Sequence, residues 1–186
     1  MLVLCWPGGA LAHSENFAQG FLTGLMHPVF GTDHFLAMLS VGIVSAQLGG
    51  RYILVVPAVF VSAMIVGAVF GIYGSEWPAM ELGIALSVVL LGIAIVFVRD
   101  RRYRWLIMLV TAMFGSLHGN AHGLEMPRAA DPVFYAAGFL VGTTAIHILG
   151  VVIGHAAMTR PALVRYLRIL GAAIAIVGAY IVVRTM

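Results

Sequence analysis

Two short segments of this 186-residue chain concentrate side chains able to hold a metal ion. The first, His27-Pro28-Val29-Phe30-Gly31-Thr32-Asp33-His34, sets two imidazoles seven residues apart with a carboxylate beside the second. Seven positions are about two helical turns, so His27 and His34 share one face of a regular helix and Asp33 stands one step off it. Pro28 and Gly31 lie between them, and both residue types break or kink helices. An opened turn would swing the carboxylate towards the imidazoles and free backbone carbonyls. Discontinuous helices at substrate depth are a recurring transporter device. The competing reading is that Asp33 and His34 neutralise one another as a structural hydrogen bond.

The second segment is Phe114-Gly115-Ser116-Leu117-His118-Gly119-Asn120-Ala121-His122-Gly123-Leu124-Glu125. His118 and His122 are four apart, and Glu125 follows three after His122, so all three fall on one helical stripe. Two imidazoles and a carboxylate on one face are a metal-binding arrangement, while Gly119 and Gly123 leave room for a neighbouring helix. The alternative is a histidine pair near a helix end with Glu125 at the membrane boundary. Glu81 opens a later apolar stretch, where it serves either ion transport or the helix dipole. His147 sits alone in a fifth stretch and reads as a hydrogen-bonding residue; His155 reads as interfacial. The ligand inventory of imidazole and carboxylate without thiolate suits Ni, Co, Zn and Cu(II), whereas Mg and Ca prefer oxygen shells. Ten methionines raise Cu(I), but most sit singly in apolar runs and read as packing.

The elements that must position these groups follow from composition. Hydrophobic residues make up 62% of the chain and charged residues 9%, with a mean hydropathy of +1.05. Soluble domains run at about 45–50% apolar and about 25% charged, so too few charges exist to cover a wet surface. Soluble enzymes, disordered tails and nucleic-acid binders are thereby excluded. The single cysteine, Cys5, gives neither a disulfide framework nor a thiolate site. A spanning helix needs about 20 mostly apolar residues, and six stretches qualify: 21–47, 52–73, 79–98, 104–124, 133–157 and 162–184. The expected fold is all-α, a polytopic membrane protein built as a bundle of six transmembrane helices. Small residues four apart (Ala63, Gly67, Gly71; Gly138, Gly142; Gly150, Gly154) predict close helix approach and no wide pore.

Eight of the ten arginines fall in the loops after the first, third and fifth stretches or in the residues that open the stretches following them: Arg51; Arg99, Arg101, Arg102 and Arg104; Arg160, Arg165 and Arg168. Positive charge marks the cytoplasmic side, which puts both termini in the periplasm and the chain in a bacterial inner membrane. Residues 1–12, ending Ala10-Leu11-Ala12, read either as a signal peptide shortened at its start or as an uncleaved tail. Residues 13–186 then form a single domain, and cleavage would make His13 an amine-and-imidazole chelate.

The two ligand segments are similar to the paired signatures of the HupE/UreJ family. His27-x5-Asp33-His34 followed by Phe35-Leu36-Ala37-Met38-Leu39-Ser40-Val41-Gly42 resembles its first motif, and His118-Gly119-Asn120-Ala121-His122-Gly123-Leu124-Glu125 its second, with Leu117 where that family usually has Phe. The resemblance covers nearly the whole chain. It implies a membrane accessory protein of nickel hydrogenase or urease systems that lets Ni2+ through the inner membrane. It also implies His27, Asp33, His34, His118, His122 and Glu125 as metal residues, with a role for Glu81. The first motif is similar, too, to the shorter His-x4-Asp-His of a separate nickel/cobalt transporter family.

The expected function is a secondary permease or facilitator, not an enzyme and without a resident cofactor, whose partners are a transition-metal ion and the lipid bilayer. No Gly-rich phosphate cradle of the Walker type occurs, so ATP is not expected. An intramembrane metalloprotease would place His-Glu-x-x-His on a helix, whereas here Gly-Asn-Ala separates the histidines. A non-transporting metal-holding accessory protein is the further alternative. Nickel against cobalt, the coupling ion, the hydrogenase or urease context and homo-oligomerisation stay open.

Overall fold

A computed structural model describes residues 9–98, 100–126 and 131–186, with side chains from residue 19 onward. The side chain of His13, most of the expected leader at 1–12, Arg99 and Arg128 lie outside the described residues. All regular elements among the described residues are helical: α1 (Gly9–Phe30), α2 (Thr32–Leu48), α3 (Tyr52–Ile72), α4 (Met80–Phe97), a 3-10 turn (Arg101–Tyr103), α5 (Arg104–Leu124), α6 (Pro132–Thr159) and α7 (Pro161–Thr185).

The first apolar stretch corrects the sequence reading. It is not one helix over 21–47 but two, bent by 80° between Gln19–Phe30 and Thr32–Leu48. The break falls at Gly31, whose backbone is extended (φ −77°, ψ 106°), and α2 starts afresh with Phe35 N–H donating to the Gly31 carbonyl at 2.8 Å. Pro28, three residues earlier, has no N–H for the helical ladder and so helps the chain leave it here. Among the described residues four helices are each long and apolar enough to cross a membrane (α3, α4, α6 and α7), and the bent pair makes a fifth if counted as one span. The fourth expected span, α5, is a full 21-residue helix but is not among them. Its second half carries Ser116, His118, Asn120 and His122, which lower its hydropathy.

Glycine decides how the helices meet. The closest pairs are α3 with α5, α4 with α7, and α6 with both α1 and α2. A Cβ on Gly119 would collide with the Met64 carbonyl across the α3–α5 contact, and one on Gly67 with that of Ser116. Along α6, Gly138 and Gly142 lie against α1 at Phe21 and Leu25, while Gly150 and Gly154 lie against α2 at Leu39 and Ile43. The small-residue spacing thus does what the sequence predicts, and α6 becomes the strut along which both halves of the broken helix are seated. Leu117, the departure from the family motif, packs against Gly83 of α4.

Two contacts tie connecting segments together. At one end Arg101 donates from Nε to the Leu48 carbonyl at 3.1 Å, joining the α2–α3 and α4–α5 connections, both arginine-bearing. At the opposite end the buried amide of Asn120 donates to the Ser75 carbonyl at 2.7 Å and accepts from Trp77 N–H at 3.2 Å.

Candidate metal centre

The break at Gly31 opens beside the C-terminal end of α5, and a cavity of about 490 Å³ lies between them. Six of the seven sequence-predicted residues line it: His27, Asp33, His34, Glu81, His122 and Glu125. The seventh, His118, stands behind them, fully buried. Local sequence explains the space, since a Cβ on Gly31 would stand 3.0 Å from Nδ1 of His34 and crowd the imidazole.

At the mouth, Nε2 of His27 lies 3.1 Å from Oε2 of Glu125, and Nδ1 of His122 lies 3.7 Å from the same oxygen. One ligand atom from each of His27, His122 and Glu125 fits within 4.8 Å of the others. This is the separation expected of groups converging on one ion. The two imidazoles, His122 first and then His27, hold the Glu125 carboxyl well below the usual carboxylate range. It therefore stays an anion through the mildly acidic range and keeps negative charge at the entrance.

Deeper in, the rings follow one another as a column of edge-to-face and tilted contacts. The His27 and His122 centroids are 4.9 Å apart, His122 and His34 4.2 Å, and His34 and His118 4.9 Å. The outermost ring is the most exposed and the innermost the least: the His27 side chain is 27% exposed, those of His122 and His34 are 4% and 10%, and His118 is fully buried.

Two column members are held as metal-binding histidines usually are, with one ring nitrogen donating to a fixed acceptor and the other left bare. Nδ1 of His34 donates to Oδ1 of Asp33 at 2.8 Å, and His34 N–H donates to the same oxygen at 2.9 Å. A carboxylate only accepts, so Nδ1 carries the hydrogen and Nε2 keeps its lone pair. Nδ1 of His118 donates to the Phe114 carbonyl at 2.8 Å. Nε2 of both rings and of His122 are buried without a hydrogen-bond partner among the described residues, and Nδ1 of His122, equally buried, has only the longer 3.7 Å contact to Glu125. The structural Asp33–His34 hydrogen bond weighed from sequence is present, and it leaves the second nitrogen of His34 without a partner among the described residues.

Glu81 is exposed in the first turn of α4, where the dipole favours it, and it also lines the cavity wall. With Glu76 it borders a second pocket on the same rim. Sequence reasoning missed two contributors. Asn120 read only as a spacer between histidines, although an amide in an apolar helix is a signal of buried hydrogen bonding. Phe139 of α6, with its ring 4.3 Å from that of His122, walls the column. It has no sequence signal, because an aromatic residue in an apolar helix looks like packing.

Comparison with known proteins agrees with the motifs. The family model described as "HupE / UreJ protein" matches residues 1–181. The protein described as "Protein HupE" from Rhizobium leguminosarum bv. viciae is 36% identical over 183 residues, spanning 98% of this chain and 95% of the relative. No solved structure matches. The family match over residues 1–181 and a relative 36% identical over 98% of the chain place it in the HupE/UreJ family.

Proposed function

We propose that the chain is a secondary permease or facilitator that moves Ni2+ across the bacterial inner membrane to supply hydrogenase or urease maturation, with Co2+ as the alternative cargo. The observation that carries the reading is the column of four imidazoles, running from part-exposed His27 to fully buried His118, with bare nitrogens along it. A tight resident site would close around its ion with a complete ligand shell. A series of adjacent, incompletely furnished sites instead binds well enough to admit the ion and weakly enough to release it. Imidazole with carboxylate selects late transition metals over Mg2+ and Ca2+.

In this reading α1 and α2 together make the first span and α5 the fourth, its polar side chains facing inward, as costly groups within a bilayer do. Six spans and the arginine distribution then set both termini in the periplasm. The cavity faces that side, where Glu76, Glu81, Glu125 and Asp131 attract cations. The membrane potential supplies the drive, about 2.3 kcal/mol per charge per 100 mV, hence about 4.6 kcal/mol for a divalent ion.

Nickel-starved bacteria expressing the chain behind a functional leader provide the test. Radioactive nickel should accumulate with the wild type and fall to the empty-vector level with His34→Ala and with His122→Ala. Equal uptake by wild type and empty vector, with the protein confirmed in the membrane, would remove the nickel reading.

A further inference from the structure

The column does not end the series of bare polar groups. Beyond His118, the fully buried ring of Phe60 on α3 lies 5.5 Å from the His118 ring and 5.3 Å from that of His147 on α6. His147 is only 3% exposed, and its Nε2 has no hydrogen-bond partner among the described residues. One turn earlier on α6, Thr143 is fully buried, and its Oγ1 is likewise unpartnered.

A helical threonine commonly satisfies its hydroxyl on the carbonyl four residues back. Two others on the same helix do so: Thr144 bonds Leu140 at 2.7 Å and Thr159 bonds His155 at 3.1 Å. Thr143 does not, although it has the same backbone opportunity. Unpaired polar atoms in a water-poor interior are costly, and apolar residues of similar size would avoid that cost. The pair also belongs to a longer pattern. Phe139, Thr143 and His147 are spaced four apart on one stripe of α6, whose first member touches His122 and whose last touches Phe60.

We propose that Thr143 and His147 form an inner station for the transported divalent transition-metal ion, which takes it from His118 past the edge of the Phe60 ring. The inference rests on the permease reading. His147 Nε2 is the principal ligand and the Thr143 hydroxyl oxygen a weak second. A station with so few ligands holds the ion briefly, as onward movement requires, and a single imidazole still favours a transition metal over Mg2+.

The test uses the full-length protein in two measurements: Ni2+ titration calorimetry in detergent, which reads the outer sites, and initial nickel uptake in cells. His147→Ala should leave the outer-site affinity within about twofold of wild type and lower uptake about tenfold or more. His147→Cys, which restores a soft ligand, should retain clearly more uptake than His147→Ser, which is nearly the same size. Wild-type uptake by His147→Ala would overturn the station and leave the permease reading intact. Equal uptake by the Cys and Ser variants would remove the ligand role, and joint loss of binding and uptake in all three would make His147 a packing residue. A wild type that takes up no nickel is a separate failure, which removes the permease reading and the station with it.

Discussion

Three of the four imidazoles of the column are fixed, each by a different local device, and the devices matter as much as the rings. His34 is held by the carboxylate of the residue before it, His118 by the carbonyl one turn back, and His27 by Glu125 just past the end of α5. The Asp33 contact is the most informative, because it fixes both the tautomer and the direction of the ring. Asp33→Asn keeps the shape and removes the charge, and an amide that flips can donate to Nδ1 and reverse the tautomer. Disturbing such an outer partner typically weakens metal binding about 10–100-fold. Ni2+ titration of the purified variant should show a loss of that order with unchanged helix content; unchanged affinity would mean that Asp33 only occupies space. The residue scale was largely legible in the sequence, since His27, Asp33, His34, His118, His122 and Glu125 could be named from type and spacing. Their order could not. Nothing in a spacing of seven or four indicates that His122 lies between His27 and His34, because that depends on how α5 meets the break.

Helices were legible as apolar stretches, and their contacts as small residues four apart, but the 80° bend was not. Pro28 and Gly31 signal a kink without giving its angle. The angle follows from α6, against which α1 and α2 are separately seated by Gly138, Gly142, Gly150 and Gly154. Apolarity likewise located α5 but not its reduced hydropathy: the half with Ser116 and the candidate ligands His118 and His122 is the half least suited to lipid. Asn120 belongs to this scale because it fastens the α3–α4 connection to α5 between the two histidines. Asn120→Ala leaves the Ser75 carbonyl and Trp77 N–H without this partner, for which a loss of about 1–3 kcal/mol is expected. Thermal unfolding in detergent should show a lower midpoint, with nickel uptake reduced in cells. An unchanged midpoint would mean that the loop is held by other contacts.

For the molecule as a whole, charge sets direction. The arginine-bearing connections after α2 and α4 meet at one end through Arg101 and Leu48, while the cavity with Glu81 and Glu125 opens towards the other. In the proposed function, positive-inside insertion would present the cavity to the periplasm and let the potential draw cations inward. An alkaline phosphatase fused after Met186 should be active in intact cells, and a green fluorescent protein at the same point dark; the opposite pattern would invert the topology. The central claim is that this chain alone conducts a transition-metal ion along its histidine column. Purified protein in liposomes carrying an inside-negative potential, with a nickel-sensitive dye enclosed, measures that directly. The account predicts Ni2+ entry that rises with the potential, ignores excess Mg2+ and disappears in His34→Ala. Well-inserted wild-type protein that gives no entry above protein-free liposomes would contradict it.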